Sequence, residues 1–199
     1  MSWMTTPRIS LTVPPGFTGL SLAGNPETLA DRIRSLAGEL APRTGVTAAE
    51  LAFHLARVAD WTGPHGVRLL GKFAVGDPDP ALASLTLMLR PLGGVLPEPR
   101  EEAVAGLGRS LRERRPSCQI RPITLAAGPA IAVLTEGEFR FPDDRGTRPV
   151  FRIDFHLPTP GGRGLVVLSV SADTGERQAE IATAAVRVAN SIRVGSARP

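Results

Sequence analysis

The sequence predicts an α+β fold: a mainly antiparallel sheet of six to seven strands flanked by helices. Three observations carry this. Seven strand-like and four helix-like runs follow one another as β-α-α-β-β-α-β-β-β-β-α. Neighbouring strand-like runs are separated by short Gly- and Pro-rich turns, which join antiparallel partners. The run "VFRIDFHL" places Phe151, Ile153, Phe155 and Leu157 on one side and Arg152, Asp154 and His156 on the other, the alternation of a strand with two unlike faces.

"RISLTVPPGF" alternates Ile9, Leu11 and Val13 with polar residues until Pro14-Pro15-Gly16 ends it, which predicts a short strand. In "NPETLADRIRSLAGEL", Asn25 caps, Pro26 takes the first helical position, and Leu29, Ile33, Leu36 and Leu40 form one stripe. A second helix begins at Thr47 with Glu50 three residues on, a capping box, and turns Leu51, Leu55 and Val58 inward. "GVRLLGKFAV" and "ALASLTLMLR" form a hairpin through the turn Gly76 to Pro80. After Pro97 a third helix carries Val104, Leu107 and Leu111, with acids in its first turn and arginines in its last to suit the macrodipole. Four strands near 118–125, 129–141, 148–157 and 164–172 follow. A closing helix over about 175–193 presents Ile181, Ala185, Val188, Ala189 and Ile192.

The chain of 199 residues fits a single domain over residues 8–194, with residues 1–7 and 195–199 frayed and the helices near 25–41 and 47–62 a candidate elaboration. A domain of this size buries about 70% of its unfolded surface and needs no staple. Cys118 has no second cysteine to pair with, which suits a reducing compartment. The N-terminus lacks the pattern of a secretory signal, and no apolar run is long enough to span a membrane, so a cytoplasmic location is expected. The pI is 10.7. Yet the net charge is only +4, and of the 23 basic residues all but Lys72 are arginine, the usage of a GC-rich genome. Nucleic-acid binding needs a clustered basic face and stacking aromatics. The one dense cluster, Arg109, Arg112, Arg114 and Arg115, is read as a solvated helix end, and no specific nucleic-acid partner is expected.

The stretch "PTPGGRG" poses the question of a phosphate cradle. Such loops lead into a helix N-terminus, where free amides meet the anion. Here "LVVLSVSA" follows, which is strand-like, and Pro158 and Pro160 remove two amide donors, so the loop is read as a hairpin connection. The polar side of "VFRIDFHL" is the better candidate. The preceding strand offers Glu136, Glu138 and Arg140, which a regular hairpin is expected to place beside Arg152, Asp154 and His156. Arg68 and Lys72 share a face, as do Ser84 and Thr86. An acid, a base and a neighbouring Ser169 or Ser171 suggest hydrolysis on paper. A serine in mid-strand has its amide committed to the ladder, however, and no G-x-S-x-G elbow occurs. Cross-strand charge pairs account for the same residues. His54, His65 and His156 fall in different elements without ligand spacing, and neither a metal nor a cofactor is expected. "DDRG" at 143–146 is read as a hairpin tip and Cys118 as a small apolar residue.

"RPITLAAGPAIAVL", a long polar-faced hairpin reaching "FRIDFHLPTPGGRGLVVLSVSADT", a closing helix ending "ANSIRV" and the opening "ISLTVPPGFTGLSL" together resemble actinobacterial PsbP-like proteins. That superfamily also holds the photosystem II extrinsic subunit and an import factor that binds the Ran GTPase. The resemblance covers roughly residues 8–194 and implies an α/β/α sandwich used as a non-catalytic binding module. It transfers no site residue, and the lipoprotein signal frequent among related proteins has no counterpart here. The expected function is that of a protein-binding adaptor using the polar sheet face or adjoining loops. The alternative is a small hydrolase or ligand-binding protein built on Asp154 and His156.

Overall fold

The computed structural model describes residues 7–140, 147–172 and 175–195, with residues 139, 140 and 148 described by backbone alone. The strands are β1 (Arg8–Ser10), β2 (Thr18–Ser21), β3 (Val67–Val75), β4 (Ala81–Pro91), β5 (Gln119–Leu125), β6 (Gly128–Arg140), β7 (Thr147–Pro158), β8 (Gly164–Ala172) and β9 (Arg193–Gly195). The helices are α1 (Pro26–Thr44), α2 (Ala48–Thr62), α3 (Arg100–Arg114) and α4 (Gln178–Ser191). Seven strands form one antiparallel sheet in the order β2-β3-β4-β8-β7-β6-β5, and β1 and β9 pair as a separate ribbon. This is the α+β arrangement the sequence predicts. Among the described residues no helix is long and apolar enough to cross a membrane.

Local signals act as read. The Asn25 side chain accepts from the Thr28 amide at 2.8 Å, and Thr47 and Glu50 exchange both bonds of the capping box. The run 158–164 is a hairpin connection between β7 and β8. Gly161 and Gly162 take left-handed φ values of 76° and 65°, and Thr159 closes the loop through its hydroxyl on Gly164. No helix begins there.

Two readings change. The opening strand stops at Ser10 and pairs with β9, outside the main sheet; Thr18–Ser21 supplies the edge strand instead. Prolines 14 and 15 offer no amide to a ladder, and Val13 is exposed. In α2 the buried stripe runs through Ala52, Leu55, Ala56 and Ala59, so Val58 points to solvent. Small alanines let α2 lie close against α1, a packing signal weaker than a valine's hydrophobicity.

One face packs Phe151, Ile153, Phe155, Leu157, Val166, Leu168 and Val170 under α4, through Ile181, Ala185, Val188, Ala189 and Ile192. At its β2–β3 edge the paired Gly19 and Gly71 leave a slot for the Phe17 ring. A Cβ on either would lie 2.5 Å from that ring. The opposite face is covered at its two ends: α1 and α2 enclose Leu20 with Ile33 and Ala59, and α3 packs Val104 on Ile120, Ile131 and Val133. Between these layers lie β4, β8 and β7. Phe155, 2% exposed, is central to the α4 side. Replacing it with Ala is expected to cost about 3–5 kcal/mol, measured by denaturant unfolding; an unchanged midpoint would contradict the packing of α4 on this face.

Candidate functional site

The register decides which candidate residues meet. Opposed residues in antiparallel strands share a face. Arg152 is opposite Thr135 and Ser171, Asp154 opposite Val133 and Ser169, and His156 opposite Ile131 and Val167. These belong to the α1–α3 side. Glu136 is opposite Phe151 and Glu138 opposite Pro149, so these two fall on the other side of the sheet, while the Arg140 side chain lies outside the described residues. The expected single polar face of six charged residues is therefore divided. Glu136 and Glu138 are exposed, because this end of β6 extends past the helical cover. Polarity there says nothing about which way a residue faces. The segment 143–146 lies outside the described residues.

What remains together is a polar band across the middle of the α1–α3 face. One row runs Lys72, Ser84, Ser171, Arg152, Thr135 over β3, β4, β8, β7 and β6; the next holds Thr86, Ser169 and Asp154. Met88, Val167 and His156 follow, with Arg90 beyond Met88 on β4.

Asp154 is 1% exposed. Arg152 Nε donates to its Oδ1 at 2.7 Å, and Arg115 Nη1 donates to its Oδ2 at 3.3 Å. A carboxylate is removed from water at large cost unless it is paired and hydrogen-bonded, and here both oxygens are engaged. Arg115 arrives because α3 ends there: its amide closes the helix on Leu111 O at 2.8 Å, and Pro116 follows, which disfavours the α conformation at the residue before it. The arginine-rich helix end is thus only partly the solvated end the sequence suggests. Arg112 reaches Ile120 O, and Arg109 lines an open groove of about 440 Å³ between α3 and β5–β6, so these arginines serve different neighbours. Arg115 was missed as a site residue because its partner lies 39 positions away on another element. The alternation of β4 (Ser84, Thr86, Met88, Arg90) was the available signal for Arg90.

His156 is 9% exposed, and among the described residues neither ring nitrogen has a hydrogen-bond partner. Burial pushes its pKa below the ordinary imidazole range. Asp154 acts in the opposite direction, and Arg115, Arg152 and Arg90 reinforce the lowering. Asp154 does not hydrogen-bond the ring, since its oxygens are taken by arginines. Cys118 is half-buried with Sγ 3.3 Å from Thr135 Oγ1, and His54 and His65 lie exposed on and beside α2. Among the described residues no group of three or more His, Cys, Asp or Glu is placed to hold a metal ion.

Fold and band together define an α+β protein with a polar strip recessed between two helical layers. No family model matches the chain, and no curated protein matches it. Among solved structures it is similar to LpqN, involved in cell envelope biogenesis of Mycobacterium tuberculosis, at 15% identity over 96% of this chain and 86% of that one, with a TM-score of 0.43.

The buried ring gives a pH prediction. The folded chain binds the His156 proton less readily than the unfolded chain. Its contribution is therefore complete above about pH 6.5, the unfolded value, and is lost as pH falls from there through the lower folded value. Stability measured from about pH 7 to about pH 5 is expected to fall less steeply in His156→Gln than in the native chain. Identical slopes would contradict the burial of the ring.

Proposed function

We propose that this chain is a non-catalytic binding protein of the PsbP-like kind, whose protein partner meets the polar band on the α1–α3 face. The observation that carries the proposal is the engagement of Asp154. In a hydrolytic triad the carboxylate orients the imidazole and the imidazole holds the nucleophile. Here both carboxylate oxygens accept from arginines, and both nitrogens of His156 are unpartnered. Ser169 faces Asp154 from the next strand, in mid-ladder, where its amide lies within the strand pairing rather than at a strained turn or helix start. The same residues suit a recognition surface: fixed cations, a fixed anion and hydroxyls held on a rigid sheet.

The test has two arms. A panel of activated esters and phosphoesters is expected to show no turnover by the native chain that His156→Ala removes. Such turnover would overturn the reading in favour of a small hydrolase using Asp154 and His156. A photo-crosslinking residue placed at Ser171, in the band, is expected to capture a partner in extract of the native host, whereas one at Glu136, on the other face, is not. Capture from Glu136 alone would move the site off the band.

A further inference from the structure

We infer that the partner presents an acidic segment: an extended stretch of chain carrying several carboxylates, laid over the polar band of the α1–α3 face. This rests on the binding reading above and adds the chemistry of the partner. The charged side chains that the strand register places in the band are Lys72, Arg90, Arg152 and Asp154, to which α3 adds Arg115; Arg68 falls in the irregularity between Val67 and Leu69, where the ladder assigns it no face. Four cations stand against one acid, and that acid is already shared by two of them. Lys72 and Arg90 are exposed and, among the described residues, make no ion pair; Arg152 and Arg115 keep 40% and 42% of their side chains in solvent. Nη donors of Arg152 and the second Nη of Arg115 have no acceptor among the described residues.

Spacing selects the kind of anion. Lys72 and Arg152 lie in one row, three strand spacings apart, roughly 14 Å; Arg90 lies six residues along β4 from that row, roughly 20 Å. One phosphate cannot touch cations so far apart. An extended chain with carboxylates on alternate residues repeats them about every 7 Å and can meet several. Between the cations the floor offers the hydroxyls of Ser84, Thr86, Ser171 and Thr135, all half-buried, which can donate to carboxylates or to backbone carbonyls. His156, with both nitrogens unpartnered beneath this surface, is a further buried polar group without an acceptor or donor of its own.

The experiment measures the binding of a fluorescein-labelled peptide of about ten residues, alternating Glu and Gly, by anisotropy at about 0.1 M salt. A Lys–Gly peptide of equal length serves as control. The native chain is expected to bind the Glu peptide and not the Lys peptide. The exposed-site double variant Lys72→Glu with Arg90→Glu is expected to weaken binding at least about tenfold. Arg187→Glu with Arg193→Glu changes the net charge equally but lies on α4 and β9, on the opposite side of the sheet, and is expected to stay within about twofold. The single Lys72→Glu variant gives an intermediate loss, which keeps the test open if the double variant misfolds. Equal losses in both double variants would reduce the effect to net charge and overturn the proposal, as would absence of Glu-peptide binding. Binding of inorganic phosphate at the band without the peptide would make the occupant a phosphate and also overturn it. Capture from Ser171 without Glu-peptide binding would sink the acidic partner and leave the binding reading standing; failure of both would remove both.

Discussion

The buried carboxylate of Asp154 is the constraint around which the α1–α3 face is arranged. At 1% exposure it cannot be left uncompensated, and the sheet supplies only Arg152 from its own strand. The second partner comes from the end of α3, so the position of that helix and the pairing of the charge are one problem. The apolar contacts of Val104, Leu107 and Leu111 hold α3 against β5 and β6, and the turn at Arg115 then delivers a guanidinium across to β7. Buried ion pairs add little net stability, because desolvation offsets most of the attraction. Their better-attested effect is to fix one arrangement, and Arg115 on Asp154 fixes where α3 ends over the sheet.

The antiparallel ladder sets the second constraint. From Phe151 in β7 and across β8 the α4 side is apolar, while the other side alternates into Arg152, Asp154, His156, Ser169 and Ser171. Such a side is affordable only where helices do not close over it completely. The two helical layers sit on β2 and on β5–β6, at opposite edges, and the polar rows cross the strands between them. Edge cover and central polarity are thus two consequences of one layout.

Much of this was legible in the sequence. The 3.6-residue stripe of α4 and the strict alternation of β7 each identified both the element and its buried side, because their large apolar residues recur without interruption. The caps at Asn25 and Thr47 fixed two helix starts to the residue. Strands β2 and β9, of four and three residues, were not legible, since a run that short has no period and β2 contains a glycine. The face of Glu136 and Glu138 was misread for a different reason: alternation reports burial, and an end of a strand exposed on both sides has none to report. Within the site, Arg152, Asp154 and His156 were found by their shared face. Arg115 was invisible because only tertiary docking of α3 brings it there.

The remaining question is why evolution would leave polar rows in the middle of a sheet that could have been covered. Stability gives no reason: exposed pairs contribute only about 0–1 kcal/mol each, and an apolar strip under a continuous helical layer would bury more surface. Solubility gives a reason for polarity on the open rim, where Lys72 and Arg90 stand, but not for placing a fully buried carboxylate and an unpartnered imidazole beneath it. Those two groups carry a cost that solvation does not require. A cost retained at the centre of a rigid face, beside cations whose further donors have no acceptor among the described residues, is the arrangement expected where that face is completed by something other than the chain itself.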